Sequence, residues 1–145
     1  MNTAKTKIDL TLSLGKVNDM PMSLEIFAND REVYSDLCPD QNRVSLQFEC
    51  DLPAKIVFKV AGKQEMDTVL DHIGNIVQDK YVKVDQLIVD RMPVERWILE
   101  SRIFEFTDEL GNINKTNYFG KNGQACLHID CQDSFDYFLQ LLTKT

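Results

Sequence analysis

The stretch Lys7–Leu14, "KIDLTLSL", decides how this chain folds. Ile8, Leu10, Leu12 and Leu14 alternate with Asp9, Thr11 and Ser13. An apolar side chain at every second position gives a strand one buried and one solvated face, whereas a helix would scatter the same residues around its axis. The pattern recurs at once. "MSLEIFA" (22–28) sets Met22, Leu24 and Ile26 on one side and runs into the turn-like "NDRE" (29–32). "RVSLQFEC" (43–50) does the same with Val44, Leu46, Phe48 and Cys50, and "AKIVFKV" (54–60) with Ile56, Phe58 and Val60. Such runs in close succession are the signature of antiparallel β-structure.

The second half continues in this style. "KYVKVDQLIVD" (80–90) carries Val82 and Val84, then the unbroken run Leu87, Ile88 and Val89, a change of phase that calls for a β-bulge. "ERWILESRIFEF" (95–106) reads as two short strands or one bent one, with Trp97 in the core. "QACLHID" (124–130) aligns Ala125, Leu127 and Ile129 on one face and Cys126 and His128 on the other. In the tail, Phe135, Phe138, Leu139 and Leu142 follow helical spacing, with Asp133 or Ser134 as the cap; a short strand is the competing reading. About eight short strands with turn-rich connections predict an all-β, two-sheet antiparallel β-sandwich, jelly-roll-like, with a short C-terminal helix. An immunoglobulin-like sandwich is the alternative. The expectation is one domain over residues 1–145, long enough to bury a core without disulfides or metal.

Composition narrows the partners. The net charge is −7 and the pI about 4.8, and no Lys/Arg cluster interrupts the acidity, which speaks against a phosphate backbone as ligand. No apolar run approaches the ~20 residues that span a bilayer, and "MNTAKTKIDL" lacks the apolar core of a signal peptide. Cys38, Cys50, Cys126 and Cys131 lack CxxC spacing and read as thiols of a protein made in a reducing compartment. The two histidines, His72 and His128, form no HxH or HExxH pattern, and no GxSxG appears. The chain is therefore read as non-enzymatic.

One phrase is written twice: "DHIGNI" at 71–76 and "DELGNI" at 108–113. An Asp three residues before a Gly suits a tight turn, with the carboxylate on backbone N–H groups and Gly at positive φ. The flanks of the two copies differ, so two hairpin turns are expected rather than a repeat. The first copy stands among further acids. Asp67, Asp71, Asn75 and Asp79 offer oxygen ligands for a Ca²⁺ ion, so this copy is the one expected to do more than turn the chain. Otherwise no cofactor is expected. A second candidate is "NYFGKNG" (117–123), where Asn117, Tyr118, Phe119 and Asn122 combine aromatic faces with amides, a mixture suited to glycans. Loop packing or a homo-oligomer contact is the other use of Tyr118 and Phe119.

Two resemblances attach to these residues. "DTVLDHIGNIVQDKYVKVDQLIVD" (67–90) resembles the calcium-dependent xylan-binding carbohydrate-binding modules, jelly rolls in which an acidic loop precedes a strand of the type D-x-x-x-x-V-D-x-I-x-V. Asp79, Val84, Asp85 and Ile88 are the matching positions, and the resemblance implies a Ca²⁺-dependent carbohydrate-binding module. Over roughly residues 50 to 140 the chain is also similar to small uncharacterised β-sandwich proteins of large tailed phages of marine and cyanobacterial hosts. The shared residues are Asp67-Thr68, Asp71, Gly74-Asn75-Ile76 and Asp79-Lys80-Tyr81, then Thr116-Asn117-Tyr118-Phe119-Gly120 with Asn122-Gly123. That similarity implies a virion protein made in the host cytoplasm, serving as capsid decoration or as a tail- or baseplate-associated adhesin. Its partners would be other virion proteins or a host-surface glycan, with no nucleic acid and no membrane.

Overall fold

A computed structural model describes residues 5–64 and 68–129, the side chain of Val77 excepted. The helix expected over 135–142, Cys131 and Asp67 lie outside the described residues. The chain runs through β1 (Lys5–Gly15), β2 (Ser23–Ala28), β3 (Arg31–Asp36), β4 (Arg43–Asp51), β5 (Ala54–Ala61), β6 (Thr68–Leu70), β7 (Ile76–Asp79), β8 (Tyr81–Val89) and β9 (Met92–Pro93). A short helix α1 (Arg96–Ser101) precedes β10 (Phe104–Asp108), β11 (Ile113–Lys115), β12 (Tyr118–Phe119) and β13 (Gly123–Ile129).

The strands form an antiparallel two-sheet sandwich. One sheet has the order β12-β8-β1-β4, with β9 also paired to β8; the other has β11-β10-β13-β5-β2-β3; β6 and β7 form a separate hairpin. The alternation read in the sequence is the alternation of burial. Ile8, Leu10, Leu12 and Leu14 of β1 lie in the core and face Leu24, Ile26, Ile56, Phe58, Ala125 and Leu127 of the opposite sheet. Each of the leucine, isoleucine and phenylalanine side chains contributes about 1.5–3 kcal/mol when fully withdrawn from water. Four phenylalanines close one end of this core. Phe58, Phe104 and Phe119 pack with ring centroids 5.7–6.0 Å apart, and Phe106 stacks on Phe119 at 5.4 Å. On β4, at the sheet edge, Leu46 and Phe48 are only partly buried.

The phase change in β8 is a bulge. The β1–β8 register shifts between Thr11 and Leu12, which pair with Gln86 and Val84, so Asp85 is the extra residue. Beyond it Leu87 and Val89 return to the core. Asp85 sits where its carboxylate accepts a hydrogen bond from Ser13 Oγ and lies 3.8 Å from Arg43 Nη2.

Two expectations need correction. Residues 96–101 form a helix, not a strand, and its inner side buries the adjacent residues Ile98 and Leu99. Trp97 points outward from α1, 46% exposed, with the Arg102 guanidinium 5.3 Å from its ring centroid, so it is not a core residue. The strand count also exceeds the expected one. Thirteen strands occur among the described residues; of the six additional ones, β6, β7, β9, β11 and β12 are two to four residues long, too short to display a period, and β3 shows no alternation of burial. Of the cysteines, Cys38, Cys50 and Cys126 are free thiols.

The two copies of the repeated phrase make one turn twice. Asp71 Oδ1 accepts the N–H groups of Ile73 (3.0 Å) and Asn75 (2.9 Å), while the Asp71 carbonyl accepts that of Gly74 (3.1 Å). Asp108 Oδ1 accepts those of Leu110 and Asn112 (2.9 Å each), and its carbonyl that of Gly111 (3.0 Å). Gly74 has φ +90° and Gly111 φ +87°. A Cβ would meet nothing within 4 Å at either glycine, so any penalty there is purely conformational. Gly74→Val and Gly111→Val are each expected to cost about 1–3 kcal/mol in chemical denaturation. An unchanged midpoint for either would show that its turn does not depend on positive φ.

Candidate functional site

The β6–β7 hairpin, the end of β5 and the β12–β13 loop meet around Asp79. Thr68 pairs with Asp79 at the base of the hairpin. Asp79 Oδ1 accepts hydrogen bonds from Lys63 Nζ (2.5 Å) and Thr68 Oγ1 (2.9 Å), and Oδ2 accepts one from the Tyr118 hydroxyl (2.7 Å). Burial alone would raise the Asp79 carboxyl. The hydrogen bonds from Lys63, Tyr118 and Thr68, with the charge of Lys63, outweigh it and hold the group below its ordinary value. Tyr118 is moved the other way. Desolvation first, then its hydrogen bond to the Asp79 carboxylate, keeps the phenol protonated far above the usual tyrosine range.

The Tyr118 ring stacks on Tyr81, centroids 4.8 Å apart and planes 24° from parallel. Glycines flank the pair. A Cβ at Gly15 would collide with the Tyr81 ring, and one at Gly120 would fall 2.7 Å from Tyr118 Cε1. The layer is therefore Gly15, Tyr81, Tyr118, Gly120, drawn from β1, β8, β12 and the loop after it. Both rings project from the outer side of their sheet, since Val82 and Phe119, their chain neighbours, are fully buried.

Beside this cluster opens a cleft of about 550 Å³. One wall is Lys63, Gln64 and Thr68, another is the turn Asp108-Glu109-Leu110, and the third is Gly120-Lys121-Asn122. Asn122 ties the walls together. Its Oδ1 accepts the Lys63 N–H and its Nδ2 donates to the Lys63 carbonyl, both at 2.8 Å, while its own carbonyl accepts the Glu109 N–H at 3.2 Å. Lys121 Nζ lies 3.7 Å from Asp108 Oδ2.

The residues expected to bind ligand fall into different positions. Phe119 is fully buried among the core phenylalanines and presents no face to a sugar. Asn117 is buried, its Nδ2 bonded to the Val84 carbonyl at 2.9 Å. The amide of Asn122 is engaged by Lys63. Tyr118 is 39% exposed, with one face against Tyr81. For the metal set, Asp79 is occupied by Lys63, while Asp71 and Asn75 serve their own turn at the hairpin tip. No group of three or more His, Cys, Asp or Glu residues suited to a metal gathers among the described residues. The two candidate loops do converge, however: Asp79 from the first and Tyr118 from the second share a hydrogen bond. It is also the second copy of the repeated phrase, through Asp108, Glu109 and Leu110, that lines the cleft. Lys63, Gln64, Glu109, Leu110 and Lys121 carried no sequence signal beyond this: Glu109 and Leu110 stand at the positions where the two phrases differ.

No protein-family model matches the chain, and no curated protein matches it in sequence. Among solved structures it is similar to a selenomethionine form of vCBM60, from a study of circular permutation linking two families of calcium-dependent carbohydrate-binding modules. The identity is 12% and the TM-score 0.50, over 85% of this chain and 90% of that one. A vCBM60 complex with galactobiose is similar at 13% identity and TM-score 0.49, over 84% and 97%. The likeness is one of fold: a β-sandwich of the kind found in a carbohydrate-binding module. No helix among the described residues is long and apolar enough to cross a membrane.

The depressed Asp79 carboxyl sets a pH dependence. Its folded pKa lies below the unfolded value of about 3.9, so its stabilising effect is present above that value and is lost as pH falls through it towards the folded pKa. Melting temperatures measured from about pH 6 down to 3 should fall more steeply for the wild type than for Asp79→Asn, which has no carboxyl to protonate. Parallel curves would show that Asp79 is not a linked group.

Proposed function

We propose that the protein is a non-catalytic glycan-binding module whose ligand occupies the cleft lined by Lys63, Gln64 and Thr68, the Asp108–Leu110 turn and the Gly120–Asn122 loop. The observation that carries this reading is the lining of the cleft. Glu109 and Lys121 offer an acceptor and donors from exposed positions, while Leu110, 88% exposed, supplies an apolar surface at the rim. Sugars present the same combination of hydroxyls and C–H faces, and small-ligand sites pair apolar contact with a few placed polar groups. The fold likeness to a calcium-dependent carbohydrate-binding module supports the reading. So does the carboxylate arrangement. Of the two acids that line the cleft among the described residues, Asp108 is committed to its own turn, whereas glycoside hydrolysis ordinarily requires a pair of available carboxylates.

The motifs shared with tailed-phage proteins favour a virion component, a decoration or tail-associated adhesin that engages host-surface glycans. Stoichiometric copies in purified particles are the expected result, and absence from particles would remove this part while leaving the module reading intact.

Binding on an oligosaccharide array tests the site. Glu109→Ala should weaken the strongest signal about tenfold, the loss of one hydrogen bond to a charged acceptor, with little change in melting temperature because Glu109 is exposed. Wild-type binding that Glu109→Ala and Leu110→Ala both leave unchanged would place the ligand elsewhere.

A further inference from the structure

We infer that Lys63 is the cation of this site: its ammonium stands where a divalent metal would have to sit against Asp79, so ligand binding in the cleft depends on Lys63 and not on Ca²⁺. The inference rests on the cleft being the glycan site. It departs from the calcium dependence named for the module of similar fold.

Calcium requires six to eight oxygen ligands at about 2.3–2.6 Å. Among the described residues, the neighbours of Asp79 are hydrogen-bond donors instead. Lys63 Nζ and Thr68 Oγ1 point hydrogens at Oδ1, and the Tyr118 hydroxyl points one at Oδ2. An ammonium cannot ligate a metal, and it would repel one drawn to the same carboxylate. The donor set at Asp79 therefore does not fit a divalent cation. Asp71 does not complete such a set, because its Oδ1 already holds two backbone amides at the tip of the hairpin.

The ammonium is fixed rather than opportunistic. Its side chain is 14% exposed and that of Asp79 12%. The Lys63 backbone is held at both its N–H and its carbonyl by the Asn122 amide. Of the three ammonium hydrogens, one goes to Asp79 and one to the Gly120 carbonyl at 2.6 Å. The third has no partner among the described residues, and Lys63 lines the cleft. It is a positioned, charge-assisted donor for a ligand hydroxyl or carboxylate oxygen, with the positive charge a metal would otherwise bring.

The test uses the full chain on an array of neutral and acidic oligosaccharides, with EDTA or with millimolar CaCl₂, alongside melting temperatures in the same buffers. Wild-type binding and melting temperature should be the same in both. Lys63→Met should lower binding about tenfold or more, as loss of a hydrogen bond from a charged donor does. Lys63→Met also leaves Asp79 unpaired, so the double variant Lys63→Met/Asp79→Asn separates the roles: it should regain melting temperature without regaining binding. EDTA abolishing wild-type binding, Ca²⁺ raising the wild-type melting temperature, or wild-type affinity in the double variant would each overturn the inference. Should the wild type bind nothing on the array in either buffer, the glycan reading of the cleft fails, and the Ca²⁺ dependence of melting alone decides the cation: no rise upholds Lys63, a rise refutes it.

Discussion

The two-residue period of the antiparallel strands is the constraint on which both core and site depend. A strand that commits one side chain inward commits the next outward. In β8 this sends Val82 and Val84 into the sandwich and Tyr81 and Lys83 to its outer side; in β12, only two residues long, it sends Phe119 inward and Tyr118 outward. Because Tyr118 pairs with Lys83 and Phe119 with Val82, the core contact of Phe119 with Phe58, Phe104 and Phe106 fixes where the Tyr118 ring emerges. That point is against Tyr81 and within reach of Asp79. The buried half of "NYFGKNG" is thus the anchor for its exposed half, which is why an apparently ligand-like loop contributes mostly scaffold.

The Lys63–Asp79 contact acts at a second level. A largely buried ion pair adds little net stability, since the cost of withdrawing both charges from water offsets most of their attraction. Its consequence is positional. The pair joins the end of β5, the base of the β6–β7 hairpin and, through Gly120 and Tyr118, the β12–β13 loop. β5 and β13 already share a ladder, with Val60 opposite Gly123, and the ion pair adds the β6–β7 hairpin to that junction. Asn122 completes the same junction from the main-chain side. The cleft keeps its shape because charged and amide groups fasten its walls beyond the ladder that sets Asp108 and Val60 opposite Gly123.

What was legible in the sequence follows from range. Local periods carried the long strands, the bulge in β8 and the positive-φ glycines, because each is decided by residues within a few positions. Trp97 failed for the same reason: in "RWILES" a short helical turn and a strand compete over too few residues for a period to decide, and two adjacent buried residues, Ile98 and Leu99, are visible as such only in three dimensions. The site was legible only as unconnected pieces. Asp79 and Tyr118 were both singled out, yet thirty-nine positions separate them. Lys63 was not singled out, since a lysine after a strand reads as solvated surface until its partner is known.

The repeated phrase shows how identical local chemistry acquires different roles. Asp71 and Asp108 solve the same steric problem with matching backbone hydrogen bonds, so the turn itself does not distinguish the two copies. Surrounding acids pointed to the first copy, but charge density along the chain is a poor guide to a site when one of those acids, Asp79, is already paired with Lys63 from the segment after β5. The second copy differs in where its hairpin emerges. Asp108 ends β10 opposite Gly123, so its turn lies against the β12–β13 loop, where Asn122 and Lys121 reach it. The turn supplies rigidity in both copies, and the sheet register decides which one borders a cleft.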